Sequence, residues 1–214
     1  MSVQNVFSPM ASRVVRILMV NPRQDWSILG LSKEAKTAYG YTHRLVKALL
    51  RMGLCRKTEA NRIVVTNAGE LLTRWASYYD FALLNKANAY YSLNEDLDRF
   101  VRKLSSANRR DLRYALTLQA GAALVSPFVR PANIHLYVDP EKLGEWQKLL
   151  GLQLAELGGN VFLVEPYDEG VFYGVQKHKG VWVVSNVQLY VDLYNYPARG
   201  REAAEHLRKE AIGF

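Results

Sequence analysis

The segment from Tyr39 to Met52 carries apolar residues at the spacing of one helix face. These positions follow an i, i+4, i+7, i+8, i+11 order and are occupied by Tyr41, Leu45, Ala48, Leu49 and Met52. Such a pattern predicts an amphipathic helix whose apolar face packs against the rest of its domain. Gly53 follows at the position where helices often end in left-handed backbone. The sequence therefore predicts a helix over Tyr39–Met52.

Shorter elements are predicted on both sides of this helix. Leu31–Ala35 has the composition of the end of a short helix, and Lys36–Ala38 would form the turn between the two helices. Leu54–Lys57 and Arg62–Thr66 then predict a β-hairpin. Helix, turn, helix and hairpin in this order are typical of a winged helix-turn-helix, which places one helix in the major groove of DNA. We predict that fold over Trp26–Leu72.

Two more helices complete the predicted N-terminal domain. Ser12 is expected to cap the first, which should end at about Val20 because Pro22 follows closely. Asn67 and Glu70 have the spacing of a capping box and predict the start of the last helix. The aromatic residues of that helix would link the domains, form part of a dimer interface or, as is more common, be buried within the same chain.

The predicted helix over Tyr39–Met52 has a basic face opposite its apolar one, formed by Gly40, His43, Arg44, Lys47 and Arg51. Because the N-terminal part of such a helix contacts base edges, we expect base contacts from Tyr39, His43, Arg44 and Lys47. Basic residues of the hairpin would reach phosphates or the adjacent minor groove. The full set of candidate DNA-binding residues is Tyr39, Thr42, His43, Arg44, Lys47, Arg51, Arg56, Lys57 and Arg62. A charged helix face that only meets solvent is the alternative interpretation.

Residues 81–214 predict a mixed domain of helices and strands. Helices are predicted from Asn94 or Glu95 to Leu104, from Arg110 to Leu124, from Pro140 to about Leu157 and from Arg201 to Ile212. Strands are predicted over Ile134–Val138, Val161–Glu165, Val171–Val175 and Val181–Val184. Val187–Tyr194 alternates like a strand but would be a helix if Asn186 capped it. The predicted fold class is α+β, with a winged helix-turn-helix domain over 1–80 and a mixed α/β domain over 81–214.

Positive charge is concentrated in the first of these domains. The chain carries 28 Lys and Arg against 20 Asp and Glu, a net charge of +8. Residues 1–80 hold 12 of the basic and 5 of the acidic residues, which leaves +7 there and +1 in the remainder. This asymmetry favours contact with a phosphate backbone, although a general solubility effect would produce it too. A second basic cluster, formed by Arg99, Arg102, Lys103, Arg109, Arg110 and Arg113, would extend a DNA footprint, receive an acidic partner or simply meet solvent.

Composition limits the other functions. The single cysteine, Cys55, excludes an internal disulfide and suits a reducing compartment. It would serve as a small apolar filler or as a redox switch. No apolar run approaches the roughly 20 residues that span a bilayer, and no signal-peptide pattern is present, so we expect a cytoplasmic protein. Histidines are scattered and no phosphate-binding loop occurs, so neither a metal nor a cofactor is predicted.

One enzymatic alternative concerns Leu116–Leu124 and the strand Ile134–Val138. Together they resemble the helix and strand of a nucleotidyltransferase core. Active members of that class need two carboxylates facing the same metal ions. Only Asp139 stands at the matching strand, and Asp192 is the one distant candidate for a partner. We therefore expect a scaffold of this kind without the catalytic carboxylates, and no enzyme activity.

Taken together, these segments resemble the AbiEi-like antitoxins of type IV toxin–antitoxin systems. The resemblance rests on Gly40-Tyr41 opening the helix that Gly53 closes, on Leu116–Leu124, on Ile134–Val138 and on the late run Ser185–Leu193 followed by Gly200–Arg208. It implies a transcriptional regulator that represses its own operon through the winged domain. It also implies a C-terminal domain acting against a toxin with a nucleotidyltransferase fold, without a stable complex between the two.

Three hypotheses follow from the sequence. The first is a sequence-specific regulator that binds double-stranded DNA as a homodimer, because helix-turn-helix proteins usually bind paired half-sites. The second is a nucleotidyltransferase using Asp139 and Asp192. The third is a protein-interaction module whose winged domain binds another protein, in which case replacing Arg44 or Lys47 would leave DNA affinity unchanged.

Overall fold

The computed structural model describes residues 5–93, 96–107 and 111–214. Its contacts divide the chain into two compact units. The N-terminal unit extends to Tyr79, and the C-terminal unit extends from Asp80 to Gly213. Each has its own buried core, with Leu45, Leu49 and Trp75 in the first and Leu136 and Leu163 in the second.

The N-terminal unit contains helices and one hairpin. Its helices are α1 (Pro9–Val20), α2 (Ile28–Glu34), α3 (Tyr39–Arg51) and α4 (Ala68–Tyr78), and its hairpin is β1 (Cys55–Lys57) with β2 (Ile63–Val65). The predicted helix–turn–helix–hairpin order of elements is confirmed. Gly53 has the expected left-handed backbone, with φ of 71°. Asn67 caps α4 as predicted, because its side chain accepts the backbone N–H of Glu70 at 2.9 Å.

The predicted cap of the first helix is wrong. Helix α1 begins at Pro9, with Ser8 in the N-cap position. Proline suits the first helical turn, since its missing N–H would have no partner there. Ser12 instead lies inside the helix, where its Oγ donates to the carbonyl of Pro9 at 2.7 Å. Helix α1 ends at Val20 as expected.

A buried arginine lies in the core of the N-terminal unit. Arg16 is fully buried, and its guanidinium carbon lies 5.1 Å from the centre of the Trp75 ring. Its Nη1 also donates to the carbonyl of Ser12 at 3.3 Å. A buried cation is stable only when such partners replace water. Arg16 is therefore part of the core and is not available to a phosphate.

The C-terminal unit contains a sheet and six helices among its described residues. The helices are α5 (Phe81–Leu84), α6 (Leu97–Ala107), α7 (Leu118–Val125), α8 (Leu143–Leu149), α9 (Asn186–Tyr194) and α10 (Gly200–Leu207). The strands are β3 (Lys86–Tyr91), β4 (Tyr114–Thr117), β5 (Ile134–Val138), β6 (Gln153–Leu154), β7 (Val161–Glu165), β8 (Gln176–His178) and β9 (Val181–Val183).

In the described part of the chain these seven strands form one mixed sheet in the order β6-β3-β7-β5-β4-β9-β8. The pairs β5–β7 and β4–β9 are parallel, and the other neighbours are antiparallel. Strand β5 lies near the middle, and all five of its residues are buried. Its burial on both faces agrees with its mostly apolar sequence, in which His135 is the polar exception.

Helices cover both faces of this sheet. Thr117 of β4 and Tyr137 of β5 both donate to Asp192 of α9, which places α9 on their face. Side chains alternate along a strand, so Tyr114 points to the other face. There its ring meets Trp146 of α8, with ring centres 5.2 Å apart. The architecture is α+β, as the sequence predicts.

The helix predicted from Arg110 to Leu124 is wrong over its first half. Tyr114–Thr117 is strand β4, and the chain turns directly into α7 at Leu118, whose φ is 50°. Arg110 itself, like the predicted starts Asn94 and Glu95 of the preceding helix, lies outside the described residues. An apolar run of this length fits either a strand or a helix, so periodicity alone does not locate the change.

Two other predictions also need correction, and one strand was not predicted. The helix predicted from Pro140 to Leu157 ends at Leu149, because Gly151 has left-handed backbone and strand β6 follows. The strand predicted over Val171–Val175 is a 3-10 turn, Glu169–Phe172, capped by the side chain of Asp168. Strand β3 was not predicted, because Lys86–Tyr91 contains no β-branched residue.

The remaining predictions are confirmed with small adjustments. Strands β5 and β7 have the predicted bounds, and β9 ends at Val183, one residue earlier than predicted. The ambiguous segment near Val187 is helix α9, capped by Ser185 and not by Asn186. The predicted terminal helix is α10 followed by a π-helical turn over Arg208–Ile212.

Candidate nucleic-acid interface

Helix α3 is positioned by hydrogen bonds in the turn that precedes it. The Oγ1 atoms of Thr37 and Thr42 lie 2.7 Å apart, and the hydroxyl of Thr42 is 3.3 Å from the carbonyl of Ala38. The N–H of Thr37 also donates to the carbonyl of Ser32 in α2 at 2.9 Å. Lys36 has left-handed backbone, with φ of 51°. These contacts fix the direction in which α3 leaves α2.

Thr42 was predicted to contact DNA, and the structure contradicts this. Its side chain is fully buried and is engaged with Thr37 across the turn. The buried face of α3 consists of Thr42, Leu45, Val46 and Leu49. Met52, predicted to face inward, is 39% exposed because it follows the last helical residue. Val46 was missed and Thr42 was placed on the wrong face for one reason. The predicted apolar face followed only the spacing within the helix and took no account of contacts with the preceding turn.

The exposed face of α3 carries the residues that were predicted to lie opposite its apolar face. Its exposed residues are Tyr39, Gly40, His43, Arg44, Lys47 and Arg51. At 3.6 residues per turn they fall within an arc of about 140° on the side opposite the buried face. Helix α3 contains no aspartate or glutamate, so no carboxylate of its own opposes this basic surface.

The N-terminal turn of α3 presents an aromatic pair. The rings of Tyr39 and His43 are stacked, with centres 6.2 Å apart and an angle of 24° between planes. Gly40 lies beside Arg44, whose Nη1 would be 3.6 Å from a Cβ at that glycine. An alanine at position 40 would therefore make an ordinary van der Waals contact with the guanidinium.

The hairpin after α3 is held to the unit by a third segment. Strands β1 and β2 pair from Cys55–Val65 to Lys57–Ile63. Trp26 exchanges two backbone hydrogen bonds with Ile63, at 2.8 and 2.7 Å. This contact could not be predicted from the sequence, because an isolated bridge between distant residues leaves no pattern of apolar and polar positions along the chain. Arg56 and Lys57 are exposed on the hairpin, and the turn between the strands also exposes Glu59.

Arg62 differs from the other hairpin cations. Its Nε donates to the carboxylate of Asp25 at 2.9 Å, and its Nη2 donates to the carbonyl of the same residue at 3.0 Å. Both side chains are more than 40% exposed, so the ion pair contributes little to stability. The carboxylate nevertheless offsets the charge of Arg62. Among the hairpin residues, Arg56 and Lys57 are the stronger candidates for phosphate contact.

Two exposed lysines near α3 were not among the candidates. Lys33 lies in the last turn of α2, and Lys36 lies in the turn itself. The segment that precedes the second helix of a helix-turn-helix runs close to the DNA backbone. Their positions just before α3 could have suggested them from the sequence alone.

Cys55 is buried at the start of β1. Burial raises the pKa of its thiol from 9.0 to about 12. The thiolate is the reactive form of cysteine, and burial of this kind suppresses it. The structure therefore favours the apolar filler over the redox switch.

Two described members of the second basic cluster, Lys103 and Arg113, have partners within the C-terminal unit. Lys103 donates to the carbonyl of Leu150 at 2.6 Å. Arg113 donates to Asp139 at 2.5 Å, and its guanidinium carbon lies 4.2 Å from the centre of the Phe172 ring. Arg109 and Arg110 lie outside the described residues. Arg102 is an exposed member on α6.

The two carboxylates of the enzymatic alternative have different surroundings. Asp192 is 1% exposed and accepts hydrogen bonds from Thr117, Tyr137 and Gln188 at 2.5, 3.2 and 2.7 Å. Asp139 is paired with Arg113 at the end of β5. A metal-binding carboxylate needs open oxygens facing the ion. Asp192 instead joins α9 to the sheet.

No group of three or more His, Cys, Asp or Glu side chains is arranged to hold a metal ion within the described ranges. Across the same ranges, none of the helices has both the length and the apolar character needed to cross a membrane.

The protein thus has two units. Its N-terminal unit presents a basic helix, α3, next to a basic hairpin, β1–β2. Residues 62–213 match the protein family described as "Transcriptional regulator, AbiEi antitoxin, Type IV TA system". The match covers more than two thirds of the chain, and the chain belongs to this family. Neither a curated protein nor a solved structure matches this chain. The resemblance noted from the sequence is thereby confirmed.

The family match does not include the whole N-terminal unit. It begins at Arg62, just before β2, and includes α4 and the C-terminal unit. Helix α3 and strand β1 lie before it. Any function of the basic helix therefore rests on its own geometry.

Proposed function

We propose that this protein is a sequence-specific DNA-binding repressor of its own operon and the antitoxin of a type IV toxin–antitoxin system. In this proposal the N-terminal unit is a winged helix-turn-helix and α3 is its recognition helix. The C-terminal unit acts against a toxin with a nucleotidyltransferase fold, and the role is regulatory and not enzymatic. Family membership supports the regulatory and antitoxin parts.

The observation that carries the DNA-binding part is the exposed face of α3. It presents His43, Arg44, Lys47 and Arg51 with no carboxylate among them. Arginine can donate two hydrogen bonds to guanine, and lysine can reach guanine or phosphate. The hydrogen-bonded turn before α3 and the hairpin after it hold this face in a fixed direction. A fixed direction is what separates base recognition from general attraction to phosphates.

The hairpin supplies the second contact in this proposal. Arg56 and Lys57 are exposed on the strand that leads to the turn. A hairpin beside a recognition helix reaches the neighbouring phosphates or minor groove. Arg56→Ala should therefore weaken binding to all duplexes alike and reduce the salt dependence by about one phosphate contact.

We further propose that two copies bind one operator. Helix-turn-helix proteins commonly bind half-sites one helical turn apart, and their own symmetry then matches that of the DNA. Tyr78 at the end of α4 and Met10 in α1 are exposed apolar residues that could take part. The stoichiometry of the complex on a single duplex, measured by analytical ultracentrifugation, tests this part separately.

The experiment that tests the proposed function uses a reporter gene placed behind the protein's own upstream DNA. Arg44→Ala removes the central cation of the α3 face and should relieve repression. With purified protein, the same change should cost about 1–3 kcal/mol of binding free energy if Arg44 contacts a base. Arg74→Ala is the matched control, because Arg74 is an equally exposed arginine of the same unit and pairs with Glu70 at 2.6 Å on α4.

Full repression by Arg44→Ala and by a Lys47→Ala variant would contradict the proposal. It would favour the third hypothesis, in which the winged domain binds a protein and not DNA. Loss of repression by Arg74→Ala as well would show that the assay reports charge in general and not the α3 face.

A further inference from the structure

The hairpin formed by β8 and β9 lies at one edge of the C-terminal sheet and carries an exposed tryptophan. Val181 and Val183 are buried, whereas Trp182 between them is 41% exposed. The other tryptophans are less exposed, and Trp75 and Trp146 are essentially buried. The exposed part of this indole gives the sheet edge an aromatic surface on which a planar ligand can stack.

A lysine accompanies this ring on the same face. Lys177 and Trp182 are direct cross-strand partners, so their side chains leave the sheet on one side. The Nζ of Lys177 lies 5.9 Å from the centre of the indole. Lys177 does not cover the indole completely, because Trp182 remains exposed beside it.

The tip of the hairpin adds a second cation. Lys179 and Gly180 both have positive φ, 46° and 85°, which is the backbone of a tight two-residue hairpin turn. A Cβ at Gly180 would lie 2.6 Å from the Oγ of Ser105, so the turn sits directly against α6. A hollow at this junction is lined by Asp98, Val101, Arg102, Ser105, Ser106 and Lys179.

The charge of this junction is positive overall. Asp98 is the carboxylate that lines the hollow, and it lies 3.6 Å from the Nζ of Lys179. Both side chains are at least 64% exposed, so solvent screens this ion pair and a phosphate can compete for the lysine. Lys177 adds a further exposed cation on the face of the hairpin that carries Trp182. Arg102 belongs to α6, which lies on the opposite face, where Val181 and Val183 are buried. We call Lys177, Lys179 and Trp182 the hairpin platform.

Cations beside an open indole match the chemistry of unpaired nucleotides. The phosphates of a strand meet the lysines, and one base stacks on the tryptophan. A duplex offers phosphates but hides the faces of its bases inside the stack, so it would leave Trp182 unused. We propose that the hairpin platform binds a single-stranded segment of nucleic acid, with one base stacked on Trp182 and its flanking phosphates held by Lys177 and Lys179.

Trp182 also provides the measurement. Stacking of a base quenches the fluorescence of the indole, and the tryptophans buried in the cores should not respond. The full-length protein is titrated with an oligouridylate and an oligothymidylate of eight nucleotides and with a duplex of the same length. We expect quenching by the single strands and little by the duplex. Tighter binding of the oligouridylate would identify RNA as the ligand, and equal binding would show that the sugar is not recognised.

Variants of the platform test the assignment. Trp182→Ala should weaken binding of a dye-labelled single strand at least about fivefold, whereas Trp182→Phe should keep most of the affinity and lose the quenching. Lys177→Gln combined with Lys179→Asn should weaken it further at low salt. Asparagine suits position 179 because it tolerates the left-handed backbone of the turn. Circular dichroism confirms that each variant is folded.

Single-strand binding by the hairpin platform can be tested separately from the proposed operator binding by α3. Arg44→Ala should leave single-strand binding unchanged, and the platform variants should leave the affinity for the upstream duplex unchanged. The proposal is overturned if single strands do not quench the fluorescence. It is also overturned if Trp182→Ala binds the single strand as tightly as the unmodified protein, or if the duplex causes equal quenching that is lost in Trp182→Phe.

Discussion

Replacing His135 with phenylalanine should make the C-terminal unit more resistant to acid. His135 is buried on β5, and its ring is stacked on Phe162 with centres 4.7 Å apart. The edge of the Phe81 ring lies against it, and its Nε2 is 3.2 Å from the hydroxyl of Tyr196. Within the described residues its Nδ1 is buried without a hydrogen-bond partner. This setting suits a neutral imidazole and penalises a charged one.

The size of the effect follows from the pKa. Burial lowers the pKa of His135 from 6.5 to about 4. As the pH falls below 6.5 the unfolded chain binds a proton before the folded protein does, so stability is lost between about pH 6.5 and pH 4 and is unaffected above that range. Between pH 7 and pH 4.5 the linkage relation gives a loss of about 2 kcal/mol from this residue. Phenylalanine has no such proton and should avoid the loss.

Urea unfolding at pH 7 and pH 4.5, followed by circular dichroism, measures this difference. The matched control is Tyr196→Phe, which removes the same hydrogen bond to His135 but keeps the imidazole. We expect the control to lose stability with acid as the unmodified protein does. The reasoning is refuted if His135→Phe shows the same pH dependence as Tyr196→Phe, because the acid sensitivity would then come from other groups.

Three other substitutions have expected effects on the free energy of unfolding, each measured by urea unfolding. Thr42→Val should lower it by about 1 kcal/mol, because it removes the hydroxyl that bonds to Thr37 across the turn; no change would contradict the role assigned to that turn. Asp192→Ala should lower it by about 3 kcal/mol, because it removes the acceptor of three buried hydrogen bonds, whereas a loss under 1 kcal/mol would show that the network relaxes. Gly121→Ala should cost about 1–3 kcal/mol, since the new Cβ would lie 3.0 Å from the carbonyl oxygen of Leu116; an unchanged midpoint would mean that α7 moves freely.

The elements with strong local signals were predictable. Helix α3 combines a period of 3.6 with a closing glycine, and the hairpin after it has a polar turn followed by the apolar, β-branched strand Ile63–Val65. Their order along the chain therefore followed from the sequence. The same signals located β5 and β7, which are short runs of apolar and β-branched residues.

The errors arose where tertiary contacts decide the structure. Strand β3 has weak strand propensity, but it gains a ladder of hydrogen bonds with β7. The change from β4 to α7 depends on the left-handed backbone of Leu118, which no residue preference indicates. The burial of Thr42 depends on Thr37 across the turn. Periodicity along one element carries no information on any of these contacts.

The candidate site could be predicted only in part. The exposed cations of α3 followed from helical spacing, because a face opposite an apolar one meets solvent. The pairing of Arg62 with Asp25 did not, since 37 positions separate the two residues along the chain. The same holds for the contact between Lys177 and Trp182, which depends on the register of β8 and β9.

The central claim is that α3 recognises a particular DNA sequence, and one titration tests it most directly. The purified protein is titrated onto its own upstream duplex and onto a scrambled duplex of equal length and composition, at two salt concentrations. The account predicts a preference of about a thousandfold or more for the upstream duplex that persists as salt rises, because base contacts add to the phosphate contacts. Equal affinity for both duplexes, lost together at moderate salt, would contradict it and reduce the basic surface to nonspecific attraction.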